Sequence, residues 1–452
     1  MLPRSGTLLI RNATVLATMD LNGREIRDGG MFIRDGWIEQ VDVSERLPAS
    51  ADKIVDLSGY LVMPGFVNGH HHLYQTLDRA CRASQNVSLV NWLIGLYPRW
   101  AGLTPDDVAL ATEIGLIELA LSGCTTAADH HYIWPSGVSA DMQFKVARGV
   151  GLRFHLGRGF QNIGQGNGGF APPALLEKGD DALADCVRLI EKFHDPSPGS
   201  MQQVYIAPGS LRSVAPDLLK ESAEAARTHD VHFHMHLGET RGEIDFALEK
   251  FGKRPVEIAD ALGCLHPHSW VAHGVHFNDD DVEILARRGC GICHCPSSNM
   301  RLASGIAPIQ RYIKRGLNVG LGVDGSASND SSNLLSEIRM ALLLARVNAP
   351  PDQPLLDART ILKAATVGGA KLLGRNDIGR LQAGYCADFI AFRLDRIELL
   401  ATEDPLAAIA LCALTRVDHS WVHGRQIIES GKLLGADEYG LVKRCAKRKP
   451  VG

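Results

Sequence analysis

Histidine recurs in this sequence at a spacing that suits a metal. His70, His71 and His72 stand in a row in "PGFVNGHHH", and His232, His234 and His236 alternate in "VHFHMHLGE". On a β-strand residues i and i+2 share a face, so His70 and His72 point together while His71 points away. Two such imidazoles, a third from another strand and one carboxylate make an N3O set for a divalent transition metal, with room left for a water. An ion held that way draws the pKa of its water toward neutrality and so generates a hydroxide nucleophile. Glu239 lies three residues beyond His236 in "HLGET", close enough to move protons without ligating. His273 in "AHGVH" can hydrogen-bond the attacking water or a transition-state oxygen, and Asp324 in "GLGVDGSASND" supplies the carboxylate and a proton acceptor. Any one of these residues would equally cap a helix or satisfy a loop. Their joint occurrence carries the reading.

The elements that must position them alternate along the chain. Short runs rich in β-branched and apolar residues end in polar residues or glycine: "LVMPGFVNGHHH", "CTTAADHHYI", "GLRFHLGRG", "QQVYIAPGS", "VHFHMHLGE", "SWVAHGVH", "GICHCPSSN" and "NVGLGVDGS". Between them lie helical patterns such as "TPDDVALATEIGLIELALSG" and "APDLLKESAEAARTHD". Eight β-α units predict an α/β fold, a (β/α)8 TIM barrel over residues 61–374, with working residues at the C-terminal ends of its strands. That rule selects His236, nearest the rim, over His232 and His234, which are expected to be hydrogen-bonded core residues. His71, His130 and His131 are expected to support the ligands by hydrogen bonds. Both ends of the chain have a different texture, with short strands and Asn-Gly or Asp-Gly turns. Residues 1–60 and 375–452 are expected to fold together as a small β-sandwich, because chain termini commonly lie close in space.

The chain has 452 residues and a formal charge of -4, which indicates no broad attraction to nucleic acid or anionic membranes. Its ten cysteines follow no framework spacing, and the "CHC" at Cys293 to Cys295 has no second pair at finger spacing. They read as reduced thiols. The N-terminal stretch "MLPRSGTLLIRNATVL" lacks the pattern of a signal peptide and no run suffices for a membrane span, so a cytoplasmic protein is expected. The basic "KRCAKRKP" reads as a solvated tail.

The segments "PGFVNGHHH", "HLGET", "AHGVH", "HCPSSNMRL" and "GLGVDGSASND", with "GYCADFIAF" resuming the terminal domain, resemble the amidohydrolase superfamily over nearly the whole chain. The likeness is to its branch of nucleobase deaminases and s-triazine chlorohydrolases. The resemblance implies metal ligands at His70, His72, His236 and Asp324, a proton shuttle at Glu239 and a water-orienting role for His273. It implies one divalent ion, Zn2+ first and Fe2+ as the alternative. Binuclear members bridge two ions with a carboxylated lysine on strand four, and "QQVYIAPGS" contains none. Homo-oligomerisation is expected by the same analogy.

Within the branch, "HHHLYQTLDRA", "NWLIGLYPRWAGLTP", "SGCTTAADHHYIWPSG" and "GICHCPSSNMRLASGIAP" are most similar to the 8-oxoguanine and isocytosine deaminases. The implied reaction is hydrolytic deamination of an aminated oxo-purine or pyrimidine, 8-oxoguanine to urate foremost and isocytosine to uracil beside it. Metal-bound hydroxide would attack the amino-bearing ring carbon. Amino- or chlorohydrolysis of s-triazines is the alternative, and a non-catalytic binding protein a remoter one. Gln75 matches the glutamine that contacts the purine in guanine deaminases, since a carboxamide offers both donor and acceptor to a lactam edge. Trp92 in "NWLIGLYPRW" is expected in the pocket wall. Arg212 in "APGSLRSVAP", where the loop departs from the 8-oxoguanine enzymes at Gly209 and Arg212, offers a donor to a ring carbonyl.

Overall fold

A computed structural model describes residues 6–448 of the chain. Eight parallel strands close into a barrel: Phe66–Asn68, Cys124–His131, Arg153–Arg158, Gln202–Ile206, Phe233–Leu237, Ser269–His273, Gly291–His294 and Val319–Leu321, called strands one to eight below. The helices between them form where the sequence announces them. Thr104 and Asp107 make a reciprocal capping box ahead of the helix Pro105–Leu121, with proline at its first turn, where no N–H is needed. A continuous apolar core, including Phe154, Ile206, Phe233, Val271, Ile292 and Leu321, packs strands against helices.

The chain ends build two further sheets. Trp37–Val43, Gly29–Arg34, Thr7–Ala13 and Lys53–Asp56 form one in that order. The other runs Lys432–Leu433, Arg425–Glu429, His419–Val422, Phe389–Arg393, Tyr60–Pro64, Val15–Ala17 and Glu25–Ile26. Leu8, Ile10, Ile33, Val62 and the stacked pair Phe389 and Trp421 fill the core between them. One boundary differs from the sequence expectation. The run from Leu61 to His72 is not a single barrel strand: Tyr60–Pro64 pairs antiparallel with Phe389–Arg393, and strand one begins only at Phe66. Apolar residues continue across the junction because both sheets are buried there, so composition carries no signal of the change. At the other end, the helix Glu438–Lys447 lies on the barrel, with Arg444 paired to Glu113. Met1 to Ser5 of the N-terminal stretch and the last two residues of "KRCAKRKP" lie outside the described residues. Among the described residues no helix is long and apolar enough to cross a membrane, and all ten cysteines are free.

The barrel and the sheets built from the chain ends are joined through a buried ion pair. Arg153 at the start of strand three donates to both carboxylate oxygens of Asp388, at 2.7 and 3.0 Å, and also to the carbonyls of Gly199 and Ser200. Asp388 further accepts the His423 N–H at 2.7 Å. Both side chains are sealed from water. Asp388→Ala strands a guanidinium in the interior and is expected to cost about 3–5 kcal/mol, read as a lowered midpoint in urea unfolding.

Candidate metal centre

The strand ends bring His70, His72, His236 and Asp324 to one place at the C-terminal mouth of the barrel. His72 Nε2 and His236 Nε2 are 3.1 Å apart, and Asp324 Oδ1 lies 3.3 Å from His70 Nε2 and 3.2 Å from His72 Nε2. The positions of the ring protons follow from their neighbours, since a carbonyl oxygen only accepts. His72 Nδ1 faces the His130 carbonyl at 2.6 Å and His236 Nδ1 faces that of Gly209 at 2.9 Å, so both Nδ1 atoms donate and both Nε2 atoms carry lone pairs. His234 Nδ1 donates to the Trp270 carbonyl, which leaves His234 Nε2 to accept from His70 Nδ1 at 2.8 Å. His70 Nε2 is thereby also a bare lone pair, buried and without a hydrogen-bond partner. Burial pushes the pKa of His70 and His236 well below the ordinary value, which keeps these imidazoles neutral.

Three lone pairs and a carboxylate thus converge with no proton between them. That arrangement is repulsive alone and becomes favourable around a cation, and its donor types suit a divalent transition metal. The backbone pays for it locally: His273 and Asp324 have φ of 75° and 62°, a left-handed conformation that non-glycine residues adopt at a cost of about 1–3 kcal/mol.

Two histidines take more part than the sequence suggested. His234 is buried and hydrogen-bonded as expected, but its partner is His70, whose tautomer it sets. His130 donates from Nε2 to the Ala207 carbonyl at 2.7 Å, its Nδ1 has no hydrogen-bond partner among the described residues, and one of its ring nitrogens lies within 4.8 Å of nitrogens of His70, His72 and His236. Its ring stacks on His236 at 4.7 Å. His71 hydrogen-bonds Ser332, and His131 the Ile133 carbonyl, both away from the centre. His232 stacks on His268 and takes no part.

Glu239 stands beside the ligands, buried, with Oε2 3.8 Å from His273 Nε2 and Ser304 Oγ 3.5 Å from Oε1. Burial raises its pKa above the ordinary carboxylate value. His273 Nδ1 donates to Asn299 Oδ1 at 2.9 Å, which turns Nε2 toward Glu239. Burial opposes the His273 cation, but the carboxylates of Glu239 and Asp324 outweigh it and hold the pKa above normal. Nothing in the sequence singled out Asn299 and Ser304, because neither has a spacing relation to the residues it serves.

A cavity opens from this centre and is lined by Gln75, Trp92, Tyr97, Gln161, Arg212 and Leu302, among others. Gln75 is fully buried with Oε1 unpartnered. Its carboxamide packs on Gly325 so closely that a Cβ there would fall 1.8 Å from Oε1. Trp92 is fixed by its Nε1–H to the Ala327 carbonyl at 3.0 Å and by an edge contact with Trp100. Arg212 has its guanidinium between the rings of Phe170 and Phe246, 4.6 and 4.5 Å from their centroids, and its Nε has no acceptor.

The segments that follow strands seven and eight, which carry Asn299 and Asp324, are held from behind by Glu337, which accepts the Ser297 N–H at 3.1 Å and the Asn329 amide at 2.9 Å. Burial pushes Glu337 up to about 7, so the folded protein holds a proton that the unfolded chain releases near 4.5. The native state then binds more protons than the unfolded state across that window, and this contribution to stability is present below pH 4.5 and lost as pH rises through about 7. Thermal melts of Glu337→Gln are expected to decline less between pH 5 and 8 than those of the wild type. An identical pH slope would contradict the assignment.

Comparison with known proteins gives the same architecture a family. Residues 61–427 match the amidohydrolase family. The chain belongs to the amidohydrolase family. It is 44% identical to an 8-oxoguanine deaminase of Pseudomonas aeruginosa over 96% of each chain. It is 36% identical to a hydroxydechloroatrazine ethylaminohydrolase of Pseudomonas sp. (strain ADP), over 95% of this chain and 92% of that one. Among solved structures, an atrazine chlorohydrolase from Arthrobacter aurescens complexed with zinc superposes with a TM-score of 0.93 at 31% identity, covering 97% of this chain and 99% of the other. This amidohydrolase is accordingly a hydrolase acting on C–N bonds, built on the TIM barrel that the eight strand signals announced.

Proposed function

We propose that this amidohydrolase hydrolytically deaminates an aminated oxo-purine or oxo-pyrimidine, with 8-oxoguanine to urate and ammonia as its principal reaction and isocytosine to uracil on the same site. The observation that carries the reading is a buried Glu239, its pKa raised by that burial, beside the imidazole and carboxylate cluster and facing a cavity whose wall offers the Gln75 carboxamide. The similarity to an 8-oxoguanine deaminase over almost the full length supports it.

His70, His72, His236 and Asp324 would hold the ion, zinc by preference. When bound, it supplies an acidified water as nucleophile. The protein's own groups do the rest. Asp324 and His273 align the water, and Glu239 takes a proton from it as the C–O bond forms at the amino-bearing carbon. The elevated proton affinity of Glu239 suits the return step, delivery of a proton to the amine so that the C–N bond breaks and ammonia leaves. Gln75 reads the lactam edge with donor and acceptor together. Trp92 walls the flat ring, and the unpartnered Nε–H of Arg212 is a donor for a ring carbonyl.

Purified, zinc-loaded protein is expected to release ammonia from 8-oxoguanine with the highest kcat/KM in a panel that includes isocytosine, guanine and amino- and chloro-s-triazines. The likeness to the hydroxydechloroatrazine enzyme makes triazine hydrolysis the competing reading. Release of alkylamine or chloride from triazines, with no ammonia from any nucleobase, would overturn the proposal.

A further inference from the structure

Besides the Arg212 Nε–H, a second buried donor in the cavity wall has no partner among the described residues. Gln161 follows strand three, is 1% exposed and lines the cavity that opens from the metal centre. Its Oε1 accepts the Tyr97 hydroxyl at 3.2 Å. Tyr97 is itself buried, which pushes its pKa well above normal and keeps the hydroxyl protonated as the donor in that pair. The carboxamide is thereby held with its Nε2 free, and Nε2 has no acceptor. A buried N–H left unsatisfied costs about 1–3 kcal/mol, so an amide fixed in this way is suited to an acceptor that arrives with a ligand.

Its place in the barrel says which part of the ligand that is. The ligands come from strands one, five and eight, and Gln75 lies on the strand-one side, packed on Gly325 just beyond strand eight. Gln161 belongs to a different arc, two strands away in the barrel order, next to the strand-four loop that carries Arg212. A purine whose C2 amino carbon sits at the metal and whose lactam edge meets Gln75 carries its C8 carbonyl at the opposite end of the ring system. A one-ring substrate has nothing there.

We infer that Gln161, held by Tyr97, binds the carbonyl of the second ring and so makes the site selective for 8-oxopurines over single-ring amines. This rests on the deaminase reading above, and the test can separate the two because it uses products, which bind without turnover. Affinities of urate and uracil would be measured by calorimetry on zinc-loaded wild type, Gln161→Leu and Tyr97→Phe. Wild type is expected to bind urate more tightly than uracil. Gln161→Leu is expected to weaken urate by about tenfold, the loss of one buried hydrogen bond, with uracil unchanged within about twofold. Tyr97→Phe keeps the amide but frees it to rotate, and is expected to weaken urate by about threefold; it also serves if the leucine variant does not fold. Equal losses for both products, unchanged urate affinity in both variants, or a wild type that binds neither product would overturn the inference. A urate-specific loss in the variants together with a wild type that releases no ammonia from 8-oxoguanine would defeat the proposed reaction and leave this assignment standing.

Discussion

Glu239→Gln is expected to fold, to load its metal and to release ammonia about a thousandfold more slowly than the wild type, within the range that a positioned acid–base group contributes. The side chain stands 3.8 Å from His273 and lines the cavity that opens from the cluster, where it can reach both the water and the leaving amine. Glutamine keeps the shape and the contact with Ser304 but can neither take the proton from water nor give one to the leaving amine. The measurement is kcat by ammonia release alongside metal content by atomic emission. A variant that retains full zinc and a kcat within about tenfold of wild type would remove Glu239 from the proton path. A variant that loses zinc would instead make the residue part of the metal's support.

Removing the metal is expected to abolish turnover and to lower Tm, and zinc is expected to restore both. The reason lies in the tautomers: the lone pairs of His72 and His236 face each other at 3.1 Å, and those of His70 and His72 face Asp324 at 3.3 and 3.2 Å. Without a cation those groups repel, and with one they bind; an ion at a thousand times its Kd adds about 4 kcal/mol to stability. Titration of metal-free protein is expected to saturate at one equivalent. His236→Ala, which removes one nitrogen of the set, is expected to lose most of both the zinc and the thermal shift. Two tightly held equivalents would refute the mononuclear set, and His130, which groups with His70, His72 and His236, would be the first residue to examine.

The legible part of the site was the part with periodicity. His70 and His72 were readable as a pair because a strand alternates its faces, and His236 because a barrel works at its rim. The same alternation carried His234, yet spacing says nothing of a partner 164 residues away, and its bond to His70 emerged only from the closed barrel. His130 was set aside as a supporting residue for the same reason. Its position relative to the ligands depends on the register between strands one and two.

Tyr97, Asn299 and Ser304 lie inside segments that carry the family resemblance, but nothing in their spacing singled them or Gln161 out. They sit in irregular connections or on helices whose own patterns are dictated by packing, and what they do depends on where the loop ends meet. The join at Pro64 and Phe66 was hidden by a related effect, since two different buried sheets demand the same apolar residues.

The sequence by itself determined the fold class and which imidazoles and carboxylates to expect at the strand ends, because these follow from local rules: the period of a strand and the position of polar residues at its C-terminal end. Only the tertiary structure decided which nitrogens carry protons, which donors are left unpartnered and which wall of the cavity each reads. Those properties belong to pairs of atoms far apart in the chain, and closure of the barrel alone sets the distances between them.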